Sequence, residues 1–96
     1  MLALMILFDS ELRDEIFMLL KLTEIQNYTQ FTNLKGSSVH GKKEGSVSWP
    51  GANEIILLIV NEEQKLRLCE HIKNFKTERE PTPGILVFDW QLKDVL

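Results

Sequence analysis

The chain opens with a short apolar run of strand length. Ala3 to Phe8 shows no helical spacing and is closed by Asp9 and Ser10, which is typical of a buried strand. Ser10 stands where a helix cap is expected, and acidic residues occupy the turns that follow, where the helix dipole favours negative charge. We therefore predict a strand, then a helix to about Leu22 with an apolar stripe formed by Leu12, Ile16, Leu19 and Leu20.

A second strand and a long loop are predicted next. Between Ile25 and Leu34, aromatic residues and threonines favour a strand. The composition then changes, because Gly36 to Gly51 holds four of the five glycines together with four serines and a proline. Such a segment is typical of a loop.

The remainder of the chain repeats the order of strand, helix and strand. Glu54 to Val60 is a nearly continuous apolar run, which indicates a central strand. Asn61, with Gln64 three residues later, has the spacing of a helix capping box. We predict that this helix ends before Pro81, that its apolar face carries Leu68, Ile72 and Phe75, and that the last strand runs from Ile85 to Trp90.

These elements predict the fold class. The order β-α-β-β-α-β is that of the α+β ferredoxin-like fold, in which two helices lie on one face of a four-stranded antiparallel sheet. The 96 residues suffice for a single domain, 1–96, with a long insertion between the second and third strands.

Both faces of the predicted sheet are apolar. In the first strand Ala3, Met5 and Leu7 alternate with Leu4, Ile6 and Phe8, and the third and last strands show the same pattern. Two helices cover only one face, and leaving the other face in water would forgo about 10 kcal/mol of burial. We therefore expect identical chains to cover it, in a ring around a threefold axis. The alternative is a monomer whose tail or long loop folds over the sheet.

The long loop also concentrates positive charge and glycine. Four basic side chains precede its first acid, Glu44, and two glycines among them let backbone N–H groups approach an anion. Trp49 would anchor the loop on a neighbouring subunit or stack on a ligand. The predicted ligand residues in this region are Lys35, Gly36, His40, Gly41, Lys42, Lys43 and Trp49. The glycine spacing matches neither a Walker nor a Rossmann motif, and a merely solvated loop is the alternative.

Three segments give the sequence a family resemblance. NYTQFTNLKG (27–36), EIILLIVNEEQ (54–64) and GILVFDWQLKDV (84–95) resemble the PII superfamily of small trimeric signalling proteins, which includes nitrogen regulatory protein PII and CutA. The resemblance implies a homotrimer, a flexible T-loop at about 35–51, and effector binding in clefts between subunits. It adds Gly84 to the ligand residues, and it implies that the T-loop contacts a regulated protein.

The departures from the family pattern define a divergent member. Where PII proteins carry a glycine-rich loop with a lysine that grips nucleotide phosphates, TEREPTPG (77–84) keeps only the final glycine. Only Lys93 supplies a basic residue after Trp90, and no tyrosine lies between Gly36 and Gly51. The ligand therefore stays unidentified, as a nucleotide or another small anion.

Composition and the remaining side chains narrow the alternatives. The net charge of −3 favours neither nucleic acid nor anionic lipid, and it argues against an RNA platform on the sheet. No apolar run reaches membrane-spanning length, so we expect a cytoplasmic protein. The spacing of Cys69 and His71 matches neither a metal-binding motif nor a nucleophile motif. No catalytic motif is visible, so we predict that the protein is not an enzyme. Resemblance to CutA leaves divalent metal binding, with His40 as a ligand, as an alternative.

Overall fold

The computed structural model describes residues 1–35 and 53–96, where the chain forms four strands and two α-helices. The strands are β1 (Leu2–Asp9), β2 (Thr29–Leu34), β3 (Asn53–Val60) and β4 (Ile85–Gln91), and the α-helices are α1 (Arg13–Leu22) and α2 (Glu62–Thr77). A short 3-10 turn, Ser10–Leu12, precedes α1. The predicted loop between β2 and β3 lies, except for Lys35, outside the described residues.

The four strands form one antiparallel sheet in the order β2-β3-β1-β4. The two long apolar strands are central and pair along their whole length, from Leu2 opposite Val60 to Asp9 opposite Asn53. β4 pairs with the other side of β1, and β2 pairs with β3 at the opposite edge. This topology, with its two helices, confirms the predicted ferredoxin-like α+β fold.

Both helices pack on the same face of the sheet. The buried side chains of α1 (Ile16, Leu19 and Leu20) and of α2 (Leu68 and Ile72) belong to one cluster with alternate residues of the central strands. Leu12 and Phe75 pack at its margin, so the predicted apolar faces of both helices are confirmed. The strand residues in this cluster are Leu2, Leu4, Ile6 and Phe8 of β1, Ile56, Leu58 and Val60 of β3, and Ile85 of β4.

The two helices begin in different ways. The capping box of α2 is confirmed, since the Gln64 N–H donates to Asn61 Oδ1 at 2.7 Å and the Asn61 N–H donates to Gln64 Oε1 at 3.0 Å. The prediction that Ser10 caps α1 is wrong. The Asp9 carboxylate accepts from the Glu11 N–H at 2.9 Å and caps the 3-10 turn, through which the chain passes into α1.

The second strand starts later than its sequence predicts. Helix α1 ends in a Schellman motif, in which Ile25 N–H donates to the Leu20 carbonyl at 2.9 Å and Glu24 N–H donates to that of Lys21 at 3.0 Å. Glu24 takes the left-handed conformation there, with φ of 59°. Ile25 is therefore buried as part of the helix end, and the strand begins only at Thr29. A bulge with Asn33 at φ of 57° interrupts β2 near its end.

Candidate functional site

The residues that flank segment 36–52 lie together at one end of the sheet. β2 finishes at Leu34, opposite Asn53, where β3 begins. β1 also finishes here at Asp9, and β4 begins here with Ile85 opposite Phe8. We call the end of the sheet at which these strand termini lie the 36–52 end. The residues that precede and follow the predicted ligand loop therefore lie beside the β1–α1 junction.

A fully buried carboxylate lies at the 36–52 end, on the helix-covered face. Glu54 is 0% exposed, and both of its oxygens have hydrogen-bond donors. Arg13 Nε donates to Oε2 at 2.7 Å, and Arg13 Nη2 contacts the same oxygen. Gln30 Nε2 donates to Oε1 at 3.0 Å. The carboxylate thus joins β3 to β2 and to the start of α1, and we call Arg13, Gln30 and Glu54 the Glu54 cluster.

The cluster keeps Glu54 ionised. Burial alone raises the pKa of a carboxyl, but the hydrogen bonds from Arg13, Gln30 and Ser10, together with the charge of Arg13, outweigh it and hold the pKa of Glu54 below its ordinary value. The Arg13 side chain is 48% exposed, so the pair connects the buried face to the surface. A fully paired carboxylate of this kind organises the fold and offers no acid or base for catalysis.

The Glu54 cluster was not predicted from the sequence, although one signal indicated it. Glu54 is in phase with Ile56, Leu58 and Val60, which all point to the helices. A charged residue in that phase is buried and requires a partner. The apolar run by itself indicates Glu54 only as the first residue of the strand.

The two predicted ligand residues that the structure describes lie at the same end of the sheet but at opposite edges. Lys35 follows the last residue of β2, and Gly84 precedes the first residue of β4; both are exposed. Three strand spacings separate these edges, which is roughly 14 Å. One protomer therefore does not bring Lys35 and Gly84 together around a small ligand.

The basic side chains at the turn between α2 and β4 make contacts within the protomer. Lys76 Nζ donates to the Ile85 carbonyl at 2.9 Å. The Arg79 guanidinium lies over the Phe75 ring, 4.3 Å from its centre, and Arg79 Nη1 is 3.8 Å from the Glu15 carboxylate. These contacts fix the path of the chain into Gly84, and they engage Lys76 in the last turn of α2 and Arg79 in the turn itself.

The face of the sheet that the helices leave open is apolar, as predicted. Five large side chains on it are between 43% and 55% exposed: Phe31, Ile59, Leu86, Phe88 and Trp90. Met5, Leu7, Ile55 and Leu57 form the half-buried floor between them. We call these nine residues the open face. A continuous apolar surface of this size is typical of an interaction site.

The C-terminal tail does not cover the open face. Leu92 N–H donates to the Met1 carbonyl at 3.1 Å, which keeps the tail beside the start of β1. Val95 and Leu96 are exposed, and Phe88 and Trp90 stay about half exposed although the tail follows them directly. Residues 92–96 therefore leave the open face uncovered in the protomer. The other predicted cover, by the long loop, lies outside the described residues and stays a prediction.

The other candidate side chains form no further site in the parts of the chain that the structure describes. Cys69 is half-buried, and burial raises the pKa of its thiol, which favours the unreactive protonated form. Across residues 1–35 and 53–96, no group of three or more His, Cys, Asp or Glu side chains is placed to hold a metal. Neither α-helix described is long and apolar enough to cross a membrane. The predicted ligand residues Gly36, His40, Gly41, Lys42, Lys43 and Trp49 lie outside the described residues.

Comparisons with known proteins agree with this geometry. No protein-family model and no curated protein sequence matches the chain. Among solved structures, it is similar to CPII, a nitrogen regulatory PII-like protein from Thiomonas intermedia. The form bound to ADP and bicarbonate matches with a TM-score of 0.66 and 27% identity over 97% of this chain and 88% of that chain. The form bound to ADP, AMP and bicarbonate matches with a TM-score of 0.66 and 25% identity over the same shares.

A second protein has the same fold. A PII-like signalling protein from Thermus thermophilus matches with a TM-score of 0.66 and 24% identity over 93% of this chain and 83% of that chain. Together with the βαββαβ topology, these matches support the chain as a member of the PII-like superfamily. The two CPII matches, at 25% and 27% identity, also support a PII-like regulatory role.

Proposed function

We propose that the chain is a single-domain, PII-like regulatory protein that works as a homotrimer in the cytoplasm. In this proposal the protomers assemble through the open face and bind a small anionic ligand or nucleotide in the clefts between them. Residues 35–51 then carry the ligand state to a regulated protein. The observation that carries the proposal is the likeness to CPII at 27% identity, in a structure where CPII holds ADP and bicarbonate.

The position of the predicted ligand residues supports a site between protomers. Lys35 and Gly84 lie at opposite edges of one sheet, so a small ligand within one protomer would meet only one of them. In a closed ring, the β2 edge of one protomer would approach the β4 edge of its neighbour. A cleft at that junction would bring Lys35 of one chain close to Gly84 of the next.

The basic residues of the predicted loop would supply the charge for the ligand. Lys76 and Arg79 are engaged within the protomer, and the turn between α2 and β4 lacks the glycine-rich lysine motif of PII proteins. Binding of phosphate or bicarbonate would therefore depend on Lys35, Lys42 and Lys43. Hydrogen bonds from ammonium groups to such anions are each worth about 1.5–3 kcal/mol.

The proposal is tested by titration calorimetry with ADP and, separately, with sodium bicarbonate. The Lys42→Ala/Lys43→Ala variant should bind at least about tenfold more weakly than the original chain, since that loss corresponds to about 1.4 kcal/mol. The matched control is Lys73→Ala/Lys93→Ala, which removes the same charge from two exposed sites. Light scattering should give the trimer mass for all three proteins. Unchanged affinity in the loop variant, or failure of the original chain to bind either ADP or bicarbonate, would contradict the proposal.

A further inference from the structure

Strand β2 contributes little to the core of the protomer. None of its residues from Thr29 to Leu34 belongs to the buried apolar cluster, and five of the six are exposed. Its backbone pairing with β3 is interrupted after Phe31 by the bulge. A strand held in this way is expected to open at a lower free energy than the central strands. β2 nevertheless leads directly, through Lys35, into segment 36–52.

The Glu54 cluster gives β2 a side-chain attachment to the rest of the fold. Gln30 Nε2, from the second residue of β2, donates to Oε1 of a carboxylate that is completely buried. The other oxygen of the same carboxylate is held by Arg13 at the start of α1. Glu54 itself is the second residue of β3 and so stands beside the point where segment 36–52 returns to the sheet. One carboxylate, carried by β3, thus contacts both β2, which precedes segment 36–52, and the start of α1.

We propose that Glu54 is a positioning residue, which holds β2, and therefore Lys35 and Asn53 on either side of segment 36–52, in a fixed relation to the β1–α1 junction. Its ionised carboxylate accepts from Gln30 on one side and from Arg13 on the other, so losing the charge weakens both attachments together. The local effect on β2 needs no ligand. Only the consequence for ligand affinity rests on the proposed function.

Hydrogen exchange measured by mass spectrometry separates a positioning role from a general effect on stability. In Glu54→Gln, the amides of residues 29–34 should exchange about tenfold faster or more, and those of the central strand β1 should accelerate only as far as the global free energy of unfolding falls. Gln30→Leu should accelerate the same β2 amides and leave the start of α1 unchanged, because the Arg13 contact persists. The control is Asp89→Asn, which removes the ion pair in which Lys65 Nζ lies 3.3 Å from Asp89. It should leave residues 29–34 unaffected.

Two results would overturn the inference. One is an acceleration of residues 29–34 in Asp89→Asn as large as in Glu54→Gln, which would mean that these amides report global stability and not the attachment to Glu54. The other is unchanged exchange of residues 29–34 in both Glu54→Gln and Gln30→Leu. If exchange changes as expected, ADP affinity in Glu54→Gln should also fall several-fold at unchanged oligomer mass. Faster exchange without any ADP binding by the original chain would leave the positioning role supported and the proposed ligand wrong.

Discussion

At the scale of single residues, the two partners of the buried ion pair are unequal. Glu54 is completely buried, whereas the Arg13 side chain is 48% exposed. Removing the arginine strands a carboxylate in the interior, while neutralising the carboxylate leaves an arginine that can turn to water. The cost of each substitution should therefore depend on which partner is left behind.

We expect Arg13→Ala to lower the free energy of unfolding more than Glu54→Gln does, because it leaves a buried carboxylate without its cation. Glu54→Gln should cost less, about 1–3 kcal/mol, since Gln keeps the size of the side chain and one acceptor oxygen. Urea unfolding at equal protein concentrations measures both values, because assembly makes the midpoint depend on concentration. A larger loss in Glu54→Gln than in Arg13→Ala would contradict this ordering.

The pH dependence gives an independent control on the same pair. The pKa of Glu54 is lower in the folded chain than its ordinary value, because the hydrogen bonds from Arg13, Gln30 and Ser10, with the charge of Arg13, outweigh the opposing effect of burial. The stabilisation is therefore complete above the unfolded pKa, about 4.3, and is lost as the pH falls through the folded value. The stability gap between the original chain and Glu54→Gln should be full at pH 7 and should narrow below about pH 4.3. A gap that stays constant down to about pH 3 would show that ionisation is irrelevant.

At the scale of elements, the end of α1 carries a conformational cost. Glu24 occupies the left-handed position of the Schellman motif with φ of 59°, where glycine is the usual residue. Glycine adopts this conformation without the penalty that a Cβ atom brings, which is about 1–2 kcal/mol. Glu24→Gly should therefore be more stable than Glu24→Ala, by about 1 kcal/mol after the greater freedom of glycine in the unfolded chain is counted.

The alanine variant is the matched control for this prediction. Glu24→Ala and Glu24→Gly remove the same charge and the same carboxylate, and they differ only in the presence of Cβ. For a chain of this size, about 1 kcal/mol corresponds to a shift of about 4–8 °C in Tm. Thermal unfolding of the two variants should show this difference. An alanine variant with the higher Tm would mean that the left-handed conformation carries no penalty here.

The same elements show which parts of the fold could be predicted from the sequence. β1 and β3 were predicted because each is a continuous apolar run, which is typical of a buried strand and not of a loop. The start of α2 was predicted because its capping box depends only on Asn61 and Gln64, three residues apart in the sequence. The predicted start of β2 was wrong because Glu24 adopts the left-handed conformation that usually belongs to glycine, and a glutamate gives no sign of it in the sequence. The predicted cap of α1 was wrong because a 3-10 turn precedes the helix, and Asp9 caps that turn.

The candidate site was only partly accessible to sequence reasoning. The basic loop was recognised by composition, which depends only on neighbours along the chain. The Glu54 cluster joins residues separated by 24 and 41 positions, so its partners became evident only when β2, β3 and the start of α1 were brought together. Period-2 alternation does predict that Glu54 is buried, but it does not identify Gln30 or Arg13 as the donors.

At the scale of the whole molecule, the sheet has two apolar faces and one helix layer. The helix-covered face supplies the core of the protomer, with Leu4 and Ile6 at 0% exposure. The open face is equally continuous but stays half exposed, and the tail does not cover it. The proposed homotrimer buries this surface and would also create the clefts in which the ligand residues of neighbouring chains meet.

A charge on the open face should therefore dissociate the assembly without unfolding the protomer. Phe88 lies opposite Met5 of the central strand, is 48% exposed and contributes nothing to the buried cluster. We expect Phe88→Lys to give particles of 11.1 kDa by light scattering, against three times that mass for the original chain, with unchanged far-ultraviolet circular dichroism. Leu66→Lys is the matched control, because Leu66 is 59% exposed on the outer surface of α2. An original chain that is already monomeric, or a Phe88→Lys variant that stays assembled, would show that the open face is not the trimer interface.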